Sequence, residues 1–238
     1  MELWKELEAE GIDKALIDEI RAFRAAHPAP PEAGSRIPNP KYIYYGREIW
    51  ESAAAALLCG EHLLLAGPKA TGKNVLAENL AAAFGRPCWD VSMYINVDAA
   101  SLIGADTLTD GNVVFREGPV CQCARLGGFG VLDEINMAKN EALAVLHAAL
   151  DFRRAIDVPG YARMEVHPAA RFIGTMNYGY AGTRELNEAL TSRFAVIQMP
   201  PIDEADLDRL LGKEFPTMEK KYRSQFVQLF LDLQKKCE

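Results

Sequence analysis

What this chain is short of narrows its class. It has no apolar run near the ~20 residues needed to span a bilayer. Its opening stretch, MELWKELEAEGIDK, is charged and lacks the apolar centre of a signal peptide. Five cysteines (Cys59, Cys88, Cys121, Cys123 and Cys237) are scattered among 238 residues, with no CxxC pair and no Cys/His ligand spacing. An odd, scattered set argues against a disulfide framework and fits a reduced, cytoplasmic setting. Cys121 and Cys123 are one residue apart in a stretch that reads as helix, so they are expected to point to different sides as packing residues. Basic charge is scarce as well. Lys and Arg number 26 against 33 Asp and Glu, a net charge of -7. A general nucleic-acid binder needs a basic stripe to neutralise phosphates, so nucleic acid is not the expected partner. Apart from one proline cluster, there is no repeat and no low-complexity tract.

What is present is ordinary globular material, 49% hydrophobic and 25% charged, of a length for one large domain or a domain with an appendage. Four segments are expected. Residues 1–27 read as a helical arm, with Gly11 dividing a short helix from a longer one. Ile12, Leu16, Ile20 and Phe23 would form its apolar stripe, which fits packing on the main domain better than docking a partner. Residues 28–40, PAPPEAGSRIPNP, hold five prolines and read as an extended linker. Residues 41–200 alternate between buried-strand runs (HLLLA, CWDVS, FGVLDE, RFIGTM, FAVIQM) and helical stretches such as NVLAENLAAAF and NEALAVLHAAL. That alternation predicts an α/β fold, a parallel sheet wrapped on both faces by helices. Residues 201–238 read as a helical tail, a partial lid.

The chemistry gathers in the third segment. Gly67, Gly72 and Lys73 match G-x-x-x-x-G-K after a buried strand and before a helix. A glycine-rich turn there lets backbone N–H groups surround an anion, and the helix adds its positive end. The candidate nucleotide contacts run through Gly67, Pro68, Lys69, Ala70, Thr71, Gly72, Lys73, Asn74 and Val75, with Lys73 reaching the outer phosphates. Asn74 stands where such loops carry a Ser or Thr that binds Mg²⁺. Its amide oxygen can take the ion directly, hold it through water, or yield its place to water. The strand in GFGVLDEINMA ends on two acids. Asp133 suits Mg²⁺ through its water shell, and Glu134 suits activation of an attacking water. Asn177 follows another buried strand and can hold that water. Arg193, at a helix end before the last strand, is either structural or a finger for a neighbour's nucleotide.

Together these residues resemble the AAA+ ATPases, in particular the MoxR-like or dynein-related branch, over roughly Tyr42 to Leu211. GPKATGKN resembles Walker A, GVLDEINMA Walker B, FIGTMN sensor 1, and LTSRF the arginine-finger segment. YYGREIWESAAAALLCGEHLLLAG resembles the family's lead-in, which implies that Tyr45 and Gly46 lie against the adenine. Two stretches, SLIGADTLTDGNVVFREGPVCQCA and DFRRAIDVPGYARMEVHPAARFIGTMN, resemble the hairpins that interrupt helix 2 and precede sensor 1 in that branch. Turns are expected at Asp110–Gly111 and Pro159–Gly160.

The resemblance implies a P-loop fold with five parallel strands in the order 5-1-4-3-2 and a small helical lid. It implies ATP and Mg²⁺ as cofactors and a homo-oligomeric, hexameric ring in which Arg193 serves the next subunit. It also implies chaperone-like remodelling or cofactor insertion, often with a von Willebrand A domain partner. The lid here is short, and Arg223 in KKYRSQF gives no match to a sensor 2. Two alternatives stand beside the motor: a nucleotide-gated assembly module without turnover, and a DNA-linked GTPase or ATPase relative. NYGYAG after sensor 1 and GADTLTDG in the first insert speak against the last.

Overall fold

The computed structural model describes residues 2–158, 160–177 and 185–237. It divides into two units, Met1–Met199 and Pro200–Glu238. In chain order the first unit holds α1 (Glu2–Ala9), α2 (Lys14–Ala26), α3 (Arg47–Leu58), β1 (His62–Ala66), α4 (Lys73–Ala83), β2 (Cys88–Ser92), α5 (Ala99–Ile103), β3 (Gly104–Thr109), β4 (Asn112–Glu117) and α6 (Pro119–Leu126). Then come β5 (Phe129–Asp133), α7 (Asn140–Leu143), α8 (His147–Leu150), β6 (Ala155–Ile156), β7 (Met164–Glu165), β8 (Arg171–Met176), α9 (Glu188–Thr191) and β9 (Phe194–Gln198). The second unit holds α10 (Glu204–Glu214) and α11 (Lys220–Cys237), packed against each other. Arg223 forks onto Asp208 there, with nitrogen–oxygen distances of 2.6 and 3.0 Å. Among the described residues no helix is long and apolar enough to cross a membrane, and no His/Cys/Asp/Glu group could hold a metal.

All five buried runs become strands of one parallel sheet in the order β2-β5-β8-β1-β9. Numbered along the chain as core strands, this is the expected 5-1-4-3-2. The period-2 pleat sends alternate residues to opposite faces. Leu64, Leu132 and Phe172 enter the core on the side of α5 and α6. Leu63, Leu65, Val131 and Ile173 enter the core on the side of α3 and α4. Both inserts are antiparallel hairpins, β3–β4 and β6–β7. Asp110 and Gly111 have φ of 50° and 80°, the primed turn a two-residue hairpin loop favours. Tyr161 ties the hairpins together: its hydroxyl donates to Asp106 at 2.6 Å and its ring lies 5.0 Å from that of Phe115. Pro159 lies outside the described residues.

Several elements differ in detail from the sequence reading. The arm packs into the sheet's own core, with Leu7, Ile12, Ile17 and Ile20 joining Trp50, Leu76 and Leu80. Its buried line runs through Ile17 rather than Leu16, because Ile17 and Ile20 share one face with Ile12 across the turn. The proline-rich stretch is not extended throughout. Pro31–Arg36 form a 3₁₀ helix that starts on a proline, where no intrahelical donor is needed, and its Ala33 is buried. NEALAVLHAAL is broken by a 3₁₀ turn at Ala144–Leu146. Leu143, Leu146 and Ala149 are all buried, and a spacing of three is met by tightening to three residues per turn. Cys121 and Cys123 are both fully buried, because α6 is covered by the sheet on one side and by α5 and the hairpins on others.

Helices laid against a parallel sheet end at the amino edge of the strands, and the carbonyls of their last turns gather there. Arginines answer them, Arg86 and Arg171 buried and Arg24 exposed. Arg171 donates to Leu57 at the end of α3, and Arg86 donates to Leu126 and Gly127 at the end of α6 and to His27 after α2. Arg24 donates to Ala82 at the end of α4. Burial lowers Arg171 to about 10, with Arg154 adding to the shift. His62 opens β1 in the same layer and accepts the Phe172 amide on Nδ1 at 2.9 Å. Burial first, then Arg154 and Arg171, push its imidazole down to about 3.

That shift has a sign. Above the ordinary imidazole value of 6.5, folded and unfolded His62 are both neutral and its contribution is constant. Between 6.5 and about 3 the unfolded chain takes up a proton that the folded chain refuses. Stability therefore falls with pH in that window, by ~1.4 kcal/mol per pH unit from this group. Urea midpoints should drop below pH 6, and His62→Gln, whose amide oxygen can accept the same Phe172 proton, should flatten the drop. Equal pH slopes in both proteins would remove His62 as its cause.

Candidate functional site

The opposite, carboxyl edge of the sheet holds a cleft of about 270 Å³. Lys69, Ala70, Thr71, Gly72, Lys73, Asn74 and Val75 form one wall, and Asp133, Glu134, Thr175 and Asn177 the other. The loop between β1 and α4 bends at two left-handed residues, one of them not glycine. Gly72 has φ of 80° and caps α4, and Ala70 takes φ of 61°. A side chain at Gly72 would also meet the Tyr44 ring at 3.0 Å. Gly67 is held for another reason: a Cβ there would lie 2.5 Å from the Met199 carbonyl oxygen, beside the end of β9.

Lys73 is nearly buried and folds back on its own loop. Its ammonium donates to the carbonyls of Gly67 (3.0 Å) and Pro68 (2.6 Å) and to Thr71 Oγ1 (3.2 Å). Burial lowers its pKa, while Asp133 and Glu134 push it back up. Asp133 Oδ1 accepts from the Asn74 amide nitrogen at 3.0 Å and from the Thr175 hydroxyl at 2.7 Å. Thr175 Oγ1 in turn accepts the Glu134 amide at 3.0 Å. Glu134 Oε1 accepts from Asn177 Nδ2 at 2.9 Å, and Asn136 holds the Asn177 carbonyl at 2.7 Å. Glu134 has φ of 55°, a left-handed backbone that costs energy in a residue with a side chain. The adjacent carboxylates of the strand tip accept from different side chains, Asp133 from Asn74 and Thr175 and Glu134 from Asn177.

The remaining expected residues lie elsewhere. Gly67 and Pro68 do not line the cleft, and their carbonyls accept from Lys73. Gly46 caps α3 with φ of 125°, and Tyr45 is 9% exposed. It is Tyr44 whose ring lies against Gly46 and Gly72, held by Asn79 of α4, which accepts from the Tyr44 amide and donates to the Tyr42 carbonyl, each at 2.9 Å. Arg193 precedes β9, whose first residue pairs with His62 at the amino edge. Five strand residues, ~16 Å, separate it from the level of the phosphate loop. It donates to Ala189, to the His147 carbonyl at 3.2 Å and to Asp151 at 3.2 Å. Sequence reasoning missed Thr175, Tyr44, Asn79 and Asp151. A threonine inside the apolar run RFIGTM was a signal for the first; the others show only through contacts distant in the chain.

A loop of this shape between a buried strand and a helix, facing a strand that ends on two acids, is a nucleotide-site arrangement. The family model described as an AAA domain (dynein-related subfamily) matches residues 62–194, more than half of the chain. The chain belongs to the AAA+ family, in its dynein-related branch. Among its relatives, the uncharacterized protein YojN of Bacillus subtilis is 34% identical over 212 residues, covering 87% of this chain and 69% of that protein. The uncharacterized protein SH1500 of Staphylococcus haemolyticus is 34% identical over 199 residues, covering 81% of this chain and 76% of that protein. A crystal structure described as a "putative ATPase" from Cytophaga hutchinsonii shares the fold with a TM-score of 0.61 at 16% identity. That match covers 92% of this chain, which spans 61% of the other.

Thr175 is the hinge of this AAA+ site's hydrogen bonding, being 1% exposed and engaged as donor and acceptor at once. Thr175→Val keeps the shape, leaves the Glu134 amide without its partner and takes one of two donors from Asp133 Oδ1, so urea unfolding should show a loss of ~1–3 kcal/mol. An unchanged midpoint would mean that water replaces both bonds.

Proposed function

We propose that the chain is an ATP-binding, Mg²⁺-dependent ATPase that works as a ring-forming remodelling or cofactor-insertion motor of the MoxR type. The observation that carries this reading is the joined network of Asn74, Asp133, Thr175, Glu134 and Asn177 across the mouth of the phosphate loop. A bare phosphate site needs only the loop, Lys73 and the start of α4. The second wall has a use only if something is done to the bound phosphates.

The residues present fit both groups. The loop offers backbone donors and the N-terminus of α4 to phosphates, and incoming phosphate oxygens can replace the three acceptors Lys73 now holds. The second wall offers hard oxygen donors, as Mg²⁺ requires. Asp133 and Asn74 would hold the ion. The Asn74 amide nitrogen is taken up by Asp133, so its oxygen is the end left for the cation or its water. Mg²⁺ supplies neutralisation of charge on the phosphate oxygens.

In hydrolysis, Glu134 accepts the proton of a water as the water oxygen bonds to the terminal phosphorus. The bond from that phosphorus to the bridging oxygen breaks, and ADP leaves with the electron pair. Asn177, anchored through Asn136, fixes the Glu134 carboxylate and so the direction of attack. Arg193 sits at the far edge from its own cleft, which supports service to another copy and hence a closed ring of like subunits. The substrate of such a ring, and a von Willebrand A domain partner, belong to this reading as what the branch implies.

One observation favours a second reading, a nucleotide-gated assembly module. Asn74 presents nitrogen, not hydroxyl, to Asp133. Phosphate release from ATP with Mg²⁺ separates the two. Glu134→Gln should keep ATP binding and lower turnover by roughly 10²–10⁴-fold. The rate per subunit should rise with protein concentration, and Asn74→Thr should lower the Mg²⁺ concentration needed. ATP binding without release from either the parent or Asn74→Thr would establish the gated module instead.

A further inference from the structure

The second unit presents an apolar face that the described residues leave bare. α11 packs on α10 through one side, where Val227 is buried and Arg223 is held by Asp208. On another side stand Tyr222, Phe226, Leu229, Phe230 and Leu233, all exposed, with Phe226 and Leu229 at 55% each. The gaps along Tyr222, Phe226, Leu229 and Leu233 are four, three and four residues, the spacing of a seam that meets another helix. A surface helix needs one apolar side. This one has two, with Phe230 between them. The exposed side amounts to roughly 550 Å² of large apolar side chain, the upper end of what a monomer leaves bare.

The order of residues along the seam selects its occupant. A second α11 laid antiparallel brings Tyr222 opposite that copy's Leu233 and Phe226 opposite its Leu229. Each ring then meets a leucine, so every layer sets a larger side chain against a smaller one. The flanks agree. Between Tyr222 and Leu233 the only charged residues are Arg223 and Asp232, one on each side of the seam. Antiparallel pairing brings Asp232 beside the second copy's Gln225 amide, and Arg223 beside its Phe230 ring. Parallel pairing sets ring on ring at Tyr222 and Phe226, gives neither flank contact, and aligns the two helix dipoles. Two such faces bury about 1,100 Å², the area of a modest, reversible pair. A two-fold contact of this kind uses the same patch on both copies and stops at two.

We propose that α11 pairs antiparallel with α11 of a second copy of this chain, through Tyr222, Phe226, Leu229 and Leu233, and that the pairing needs no nucleotide. The contact uses residues of the second unit and none of the phosphate loop or its facing acids. It is therefore separate from a ring closed around nucleotide, and it stands whether or not the chain hydrolyses ATP.

Sedimentation velocity of the full chain, with EDTA and without nucleotide, tests this over a concentration series. The parent should pass from one copy to two. Phe226→Asp sets a charge in the seam and should raise the concentration for half-pairing by roughly tenfold or more. Helix content by circular dichroism should hold, because the side that packs on α10 is untouched. If Phe226→Asp does not fold, Leu229→Lys takes its place in the same measurement. Direction is read with a short bismaleimide in chains carrying Cys59→Ser and Cys237→Ser. Tyr222→Cys mixed with Leu233→Cys should link. Tyr222→Cys alone should not, since its two copies lie ~16 Å apart along the helix axis. A parent that stays single at every concentration gives the face to the first unit or to another protein, and overturns the proposal. So does a pair indifferent to the seam charge, or Tyr222→Cys linking to itself. Assembly that appears only with ATP removes this inference and leaves the ring reading standing.

Discussion

The rest of the molecule depends on the segregation of helix ends by a parallel sheet. Strands running one way and crossover helices returning the other put the start of α4 at one edge and the finishes of α3, α4 and α6 at the other. At the first edge the excess is positive, and the phosphate loop exploits it directly by opening α4 at the mouth of the cleft. At the second edge the excess is negative and buried beneath the arm. Carbonyls without intrahelical partners cannot be left dry there. Arg24, Arg86 and Arg171 meet them, each on main-chain oxygens. Few carboxylates are needed in this layer, because the helix ends supply the negative charge. Burial keeps His62 neutral, and the crowding of cations adds to it.

At the cleft edge the polar groups are bound to one another before any ligand arrives. Lys73 is satisfied by its own loop, Asp133 by Asn74 and Thr175, and Glu134 by Asn177. The positive φ of Glu134 turns two neighbouring acids away from each other, so they are not forced to share one space. The strain is carried by the Thr175 hydroxyl on the Glu134 amide and by the packing of Ile135 just beyond. A ligand entering here trades contacts rather than desolvating bare charges. Specificity then rests on how well phosphate oxygens replace carbonyls around a single ammonium group.

The fold was largely legible because its signals are local. Five apolar runs of about strand length, each bounded by turn residues, became the five strands, and the order implied by the family resemblance is the order observed. What escaped was set by contacts far apart in the chain. The buried line of α2 shifted to Ile17 because α3 and α4 lie on that side. The helix after Asn140 tightened because three apolar residues at spacing three face one core. In the cleft, the loop, the two acids and the sensor asparagine were readable from motif spacing. Thr175 there, and Tyr44 and Asp151 outside it, were not, since a threonine, a tyrosine or an aspartate carries no sign of its partner until the fold brings Asp133, Gly72 and Arg193 alongside.

The letters of the phosphate-loop pattern have separate physical origins, and a genetic screen would sort them. Gly67 is small because the Met199 carbonyl stands 2.5 Å from where its side chain would begin, a matter of closing the sheet. Gly72 is small because of its φ of 80° and the Tyr44 ring, a matter of shaping the loop. Lys73 alone is present for its charge. Loss at Gly67 would therefore register as missing protein, rescued by growth at lower temperature or by a chaperone. Loss at Lys73 would register as abundant protein without effect.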